Sequence, residues 1–179
     1  CAMEKLSQQM MQSVCVGVLA PLVVVGAVGK LPQRPPAFSG QDSSVTVHLT
    51  DRDDMALDAY LQRVLLGEMP VSFEPEALKA QAVAARTYTL YKLISGSNHG
   101  DTADLCTDST CCQAYISIED ARANWGAEAD ACEEKIRTAV ADTDGEAILY
   151  GGVPILAVFH SSSAGLTRAA GQVWQNDLP

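Results

Sequence analysis

Residues 57–93 constrain the fold of this chain more than any other stretch, because they carry two helix patterns separated by a turn signal. In the first pattern apolar residues recur at the spacing of one helix face, which predicts a helix that packs on a core. These residues are Leu57, Tyr60, Leu61, Val64 and Leu65. Gly67 is expected to end this helix, and Pro75 suits the first position of the next one. The carboxylate of Glu68 lies between the two predicted helices.

The second helix is predicted from Pro75 onward, where alanines give high helix propensity and a small side-chain volume. Such a helix can approach its neighbours closely. It also carries polar groups that a helix serving only the core needs less, and these are Gln81, Arg86, Thr87 and Tyr88.

The remaining patterns mix helices and strands. Residues 45–50 alternate apolar and polar, as in a half-buried strand, and residues 95–110 have the composition of a loop. Residues 127–140 show helix spacing, while the β-rich residues 147–150 and 153–159 flank a Gly-Gly pair and predict a hairpin. Because no regular βαβ repeat occurs, the predicted class is α+β, with mixed helices and antiparallel strands around one core.

The N-terminal residues 1–30 are predicted to meet a membrane. Residues 14–28 are almost wholly apolar, and no charge lies between Lys5 and Lys30. This apolar length favours a single-pass anchor, with a cleaved signal peptide as the alternative.

Residues 31–44 contain three prolines and predict an extended linker. The folded domain is then expected at residues 45–179. The chain starts with Cys1 and stops after a strand-like run, so truncation at both ends is expected, notably at the C-terminus of the domain.

The charge balance bears on possible partners. The formal net charge is −10, with 22 acidic against 12 basic residues, and no run of Lys and Arg could neutralise a row of phosphates. We therefore expect no nucleic-acid partner.

The polar loop and its C-terminal flank contain four side chains of metal-ligand type, His99, Cys106, Cys111 and Cys112. Neutral imidazole and thiolates suit tetrahedral zinc, which would stabilise a loop that has no core of its own. The alternative is a disulfide of Cys106 with Cys112 or with Cys132. Four protein ligands leave no open position, so the pattern favours a structural zinc over a zinc hydrolase.

A third group, His160 with Ser161, Ser162 and Ser163, follows the second strand of the predicted hairpin. A Ser/His pair suggests a nucleophile, yet no G-x-S-x-G turn surrounds it and adjacent strand residues point to opposite faces. The pattern argues against serine hydrolysis.

Four segments in this order carry a resemblance: GEMP, EALKAQAVAARTY, CTDSTCCQAY and HSSSAGLT. They resemble the stage II sporulation protein D family, the peptidoglycan lytic transglycosylases of endospore formers, together with their amidase-enhancer relatives. The resemblance covers residues 45–179. It implies an extracytoplasmic domain at the cell membrane, with peptidoglycan glycan strands as substrate and stage II sporulation proteins P and M as partners.

The resemblance implies that Glu68 is the catalytic acid and then the base. Peptide-stripped glycan would be cut to 1,6-anhydro muramic ends, because the substrate's own C6 hydroxyl attacks and no second carboxylate is needed. The alternative is a module that binds peptidoglycan and enhances an amidase without cutting. The implied substrate-binding residues are Gln81, Arg86, Thr87, Tyr88, His160, Ser161 and Ser162.

Arg86 is the candidate for gripping the free lactyl carboxylate of stripped muramic acid, with Lys79 second. Alternatively Arg86 pairs a structural acid such as Glu76, and Tyr88 fills the core instead of stacking on a sugar. Zinc-binding members of the family have His where this chain has Cys111, which makes the zinc ligands here one His and three Cys.

Overall fold

The computed structural model describes residues 41–160, 165–168 and 172. The helices among these residues are α1 (Leu57–Glu68), α2 (Pro75–Ser95), α3 (Ile118–Trp125) and α4 (Ala129–Ala141). Two small antiparallel sheets pair β1 (Thr46–Val47) with β2 (Met55–Ala56), and β3 (Leu149–Tyr150) with β4 (Val153–Pro154). Short 3₁₀ turns occur at Asp42–Ser44, Gly100–Thr102 and Gly126–Glu128. The predicted α+β class is confirmed.

The predicted membrane segment and residues 31–40 of the linker lie outside the described residues. Within the described ranges, none of the helices combines the length and the apolar character that crossing a bilayer requires. The anchor therefore stays a prediction.

Helix α1 forms the centre of the core. The predicted apolar face is confirmed, since each of its five residues is at most 1% exposed. Burying such side chains stabilises a fold by roughly 1.5–3 kcal/mol each, so this face supplies much of the driving force. Helices α2 and α4 pack against it and contribute Leu78, Ala82, Ile136 and Val140.

The end of α1 differs from the prediction. Gly67 does not stop the helix, which continues to Glu68 and is closed by Met69 N–H donating to Leu65 O at 3.1 Å. Glycine is needed for another reason. A Cβ at position 67 would lie 2.7 Å from the carbonyl carbon of Ala114, so the missing side chain lets the segment around Ala114 cross the helix end.

Two further predictions are confirmed with shorter bounds. The alternation of residues 45–50 is correct, because Val47 and Leu49 are buried while Thr46 and His48 are exposed. The hairpin forms across the Gly-Gly pair, where both glycines have positive φ. The residue before its first strand is held to α2, because the Ile148 N–H donates to Thr87 Oγ1 at 2.9 Å.

Helix α3 was not predicted. Its signal is the capping motif Ser117-Ile-Glu-Asp120, in which Ser117 Oγ accepts from the Asp120 N–H at 3.1 Å. Asp42, at the end of the predicted linker, is 4% exposed and its carboxylate accepts from Arg86 of α2. The packed unit therefore extends into the end of that linker.

Candidate active site and metal centre

Glu68 is the last residue of α1, where the helix meets the segment that follows the cysteine pair. Its Oε1 accepts a hydrogen bond from the Ala114 N–H at 2.8 Å, which fixes one carboxylate oxygen and leaves the other for chemistry. The side chain is half-buried and faces a cavity of about 260 Å³. The cavity lining consists of Glu68, Tyr88, Cys112, Gln113, Ala157, Val158 and Phe159.

Several contacts bring residues 112–116 across the end of α1. The Ile116 N–H donates to Arg63 O at 3.1 Å, and Gly67 leaves room for Ala114. Inside this segment Gln113 is buried, and its Oε1 lies 3.1 Å from Thr89 Oγ1 on α2. The segment is thus hydrogen-bonded to both α1 and α2. The packing of these two helices therefore fixes the position of Glu68.

The two sides of the cavity differ in polarity. Ala157, Val158 and Phe159 form an apolar side, and Phe159 keeps 44% of its surface exposed. Tyr88 supplies a phenol on α2, and burial raises its pKa to about 12, so the hydroxyl stays protonated and can donate at neutral pH. An apolar side with a few polar groups is typical of a pocket for a sugar-sized ligand.

The four predicted metal ligands come together. The ligand atoms of His99, Cys106, Cys111 and Cys112 all lie within 4.8 Å of one another. His99 Nε2 is 3.4 Å from Cys112 Sγ and 3.7 Å from Cys111 Sγ, while the two adjacent sulfurs are 3.9 Å apart. The cysteines of this group are free thiols, and so is Cys132. The described residues therefore contain a group able to hold a metal ion.

The spacing of this group suits zinc. Zn–N bonds of about 2.0 Å and Zn–S bonds of about 2.3 Å place tetrahedral ligands about 3.5 Å (N to S) and about 3.8 Å (S to S) apart. The closest pairs of the group match these separations. Burial raises the pKa of the Cys112 thiol to about 12, so this sulfur stays protonated at neutral pH unless a cation takes the place of the proton.

The structure corrects the role expected of Arg86. Its side chain is 0% exposed, and its Nε donates to both carboxylate oxygens of Asp42 at 2.9 and 2.7 Å. The other guanidinium nitrogens donate to Thr143 Oγ1 and to the carbonyls of Val140 and Glu146. The expected alternative, a structural acid, is therefore correct in kind, although the acid is Asp42 and not Glu76.

The second candidate for the carboxylate contact, Lys79, is also engaged. Its Nζ lies 3.0 Å from Glu76 and 2.9 Å from Asp142. Thr87 is 0% exposed and bonds to Val83 O, so it serves the packing of α2 rather than a substrate. Gln81 is likewise buried. Of the four polar residues predicted on α2, Tyr88 alone lines the cavity of Glu68.

The serine cluster contributes little to the described site. His160 is exposed and directly follows Phe159 of the cavity lining. Ser161 and Ser162 lie outside the described residues, so their role stays a prediction.

Comparison with known proteins gives the family. The family model SpoIID, described as "Stage II sporulation protein", matches residues 46–150. The chain belongs to the SpoIID family. It is 37% identical over 128 residues to Stage II sporulation protein D of Bacillus subtilis (strain 168), and 35% identical over 148 residues to that of Bacillus amyloliquefaciens. It is also 34% identical over 119 residues to the protein named Amidase enhancer of Bacillus subtilis (strain 168).

These matches cover 71%, 80% and 66% of this SpoIID chain, respectively. They cover 37% and 43% of the two Stage II sporulation protein D sequences and 14% of the Amidase enhancer. The chain thus spans about two fifths of the length of the sporulation proteins that it matches.

Sequence reasoning found Glu68 and the metal group but missed other parts of the SpoIID site. Ala114 and Gln113 act through a backbone N–H and through a contact to α2, neither of which has a signal in sequence. The sequence at residues 157–159 predicts only an ordinary strand. These residues belong to the site because folding places them beside Glu68.

Proposed function

We propose that this chain carries the catalytic domain of a peptidoglycan lytic transglycosylase, with Glu68 as its acid and base. The observation that carries the proposal is a lone carboxylate at a cavity. Among the described residues that line the cavity, Glu68 is the one acid. A hydrolase of the usual two-carboxylate kind needs a second acid across the scissile bond, whereas intramolecular attack does not.

In the proposed reaction Glu68 gives its proton to the glycosidic oxygen as the bond from that oxygen to C1 of muramic acid breaks. The C6 hydroxyl of the same sugar then attacks C1, and its proton returns to Glu68. No water is consumed, so the product ends in 1,6-anhydro muramic acid. The Ala114 N–H holds Oε1, so the transferable proton is carried by Oε2.

The shape of the cavity supports a sugar substrate. A pyranose has an apolar face of C–H groups and a rim of hydroxyls. Phe159 and Val158 suit the apolar face, and the phenol of Tyr88 suits the rim. The remaining assignments are retained as parts of the proposal: an extracytoplasmic domain at the cell membrane, peptide-stripped glycan as substrate, and stage II sporulation proteins P and M as partners.

The test compares the full-length protein with Glu68→Gln, which keeps the shape of the side chain and removes the proton. Turnover should fall by about 10² to 10⁴, the usual contribution of such a group, while binding of glycan strands persists. Mass spectrometry should find 1,6-anhydro ends, lighter by one water than reducing ends. Reducing ends would refute intramolecular attack, and an active Glu68→Gln would refute the acid.

We propose a structural zinc ion at His99, Cys106, Cys111 and Cys112. When bound, zinc would cross-link the loop and hold the sulfurs as thiolates, and no step of the reaction passes through it. The metal group is linked to the acid in two ways. Cys112 also lines the Glu68 cavity, and the N–H of Ala114, two residues later, donates to Glu68. The metal group thereby supports the segment that positions the acid.

A second candidate function follows from the relative named Amidase enhancer. In this version the domain binds glycan strands and stimulates an amidase without cleaving them. The same experiment separates the two. If wild-type protein and Glu68→Gln raise amidase turnover equally and neither yields 1,6-anhydro ends, the enhancer function is correct and the enzyme proposal is wrong.

A further inference from the structure

Arg86 was the cation expected to bind the lactyl carboxylate. Because it is buried, another positive group is needed for this contact. Each peptide-stripped muramic acid carries one negative charge on its lactyl group. A groove that selects stripped strands therefore needs a positive group near the scissile bond. We propose that Lys92 is this group and determines the specificity for stripped strands, an inference that rests on the proposed function.

The position of Lys92 is the first observation. It lies one helical turn beyond Tyr88 on α2, and its Nζ is 5.7 Å from the centre of the Tyr88 ring. Tyr88 lines the Glu68 cavity, while Lys92 lines a second cavity of about 380 Å³. Lys92 therefore lines the second cavity, while its ammonium group lies over the ring of a residue that lines the first.

The second observation is that Lys92 is available. Among the described residues, its ammonium group contacts the Tyr88 ring and no carboxylate pairs with it. The acid in the same cavity, Asp104, is engaged by the His48 N–H, which donates to its Oδ2 at 2.8 Å. The ring contact holds a half-buried ammonium group in place without neutralising it, so its charge remains free for an anion.

The third observation is that several of the other described cations are bound to acids or carbonyls away from this cavity. Arg86 pairs with Asp42, and Lys79 with two acids. Lys135 donates to the carbonyls of Val71 and Phe73, while Arg122 and Arg137 bond to acids on α4. Among the described lysines and arginines, Lys92 is the one whose side chain makes a hydrogen-bond, ion-pair or ring contact with a residue of the Glu68 cavity.

A glycan strand that occupies the Glu68 cavity and passes over Tyr88 brings the lactyl group of a neighbouring muramic acid to the Lys92 ammonium. A strand with its stem peptides lacks this interaction, because the lactyl carboxylate is then an uncharged amide. A single cation at this place therefore distinguishes the two substrate forms.

The test measures binding in full-length protein that carries Glu68→Gln, so that ligands are not cut. The probes are stripped glycan strands of defined length and the same strands with each lactyl carboxylate converted to a methylamide. Adding Lys92→Gln should raise the Kd for the charged strands about three- to tenfold, as expected for one partly exposed ion pair, and leave the Kd for the amidated strands unchanged.

Two variants serve as controls. Lys92→Arg should retain the preference for charged strands, since it keeps the charge. Lys79→Gln changes the net charge of the protein by the same amount and should leave the preference unchanged. Equal effects of Lys92→Gln on both probes, or no effect on either, would overturn the proposal.

The design separates this inference from the proposed function. If the wild-type protein yields no 1,6-anhydro ends while the Lys92-dependent preference persists, the enzymatic proposal fails and the role of Lys92 stands. If cleavage gives these ends while the preference is independent of Lys92, the role of Lys92 fails alone.

Discussion

The Ala114 N–H donates to the carboxylate of Glu68 at 2.8 Å, which joins residues 46 positions apart in the chain. Ala114 follows the adjacent cysteines Cys111 and Cys112 of the metal group by three and two residues, so the polypeptide leads directly from that group to the candidate acid. A bond from a backbone N–H depends on the path of the backbone. Whatever moves the segment 112–114 therefore moves the carboxylate.

Removal of the metal is the first test. A chelator should lower the Tm of the zinc-loaded full-length protein by about 5 °C or more, because zinc stabilises the folded state to which it binds. Elemental analysis should give one zinc ion per chain. Cys132→Ser is the matched control and should leave the metal content unchanged. A protein without zinc, whose mass shows the loss of two hydrogens for a disulfide, would contradict the zinc assignment.

The second prediction concerns Gly67. Gly67→Ala should destabilise the protein by up to about 2 kcal/mol, because the clash with Ala114 costs about 1–3 kcal/mol and the gain in helix propensity returns about 1 kcal/mol. Urea unfolding measures the difference. Ala131→Gly, at an exposed position of α4, measures the propensity contribution without a clash. A stabilised Gly67→Ala protein would show that the segment at Ala114 yields without cost.

The third prediction concerns the buried pair of Arg86 and Asp42. Arg86→Met should cost about 3–5 kcal/mol of stability, since it leaves a buried carboxyl without its partner. Burial already raises the pKa of Asp42 despite the guanidinium, so removing the guanidinium should raise this pKa further. Adding Asp42→Asn should recover part of the loss. Full stability together with a lost preference for stripped strands would instead assign Arg86 to the substrate.

The fourth prediction concerns pH. The hydrogen bond that His48 Nδ1 donates to the Asp54 carboxylate raises the pKa of His48 above its usual 6.5. A raised histidine pKa gives a stabilising contribution that is present below pH 6.5 and is lost as pH rises through the folded-state value. The midpoint of the His48 C2 proton resonance should lie above 6.5, and Asp54→Asn should lower it. An unchanged midpoint in Asp54→Asn would contradict the pairing.

Local periodicity accounts for the parts of the fold that the sequence predicted. The face of α1 from Leu57 to Leu65, the start of α2 at Pro75 and the Gly-Gly hairpin depend on residues a few positions apart, and each is found in the structure. The metal group was predictable for a similar reason, since its four ligands lie within fourteen consecutive positions of the chain. Helix α3 was missed although its capping motif was present.

The pairing of the charged side chains and the lining of the cavities could not be predicted, because they depend on contacts between residues that are far apart in the sequence. Arg86 and Lys92 both lie on α2, yet one is buried against Asp42, 44 positions away, and the other lies over the ring of Tyr88. Their residue types alone favour the same function. The register of α2 against its neighbours decides which cation is desolvated and paired, and which remains available.

The sequence by itself determined the helix pair, the hairpin and the set of possible metal ligands, and its resemblance to a family pointed to Glu68 as the candidate acid. Tertiary structure alone decided that Ala114 holds this acid, that residues 157–159 form the apolar side of its cavity and that Arg86 belongs to the core. The physical reason is range: helix and turn preferences act over a few residues, whereas burial and ion pairing act between segments that only folding brings together.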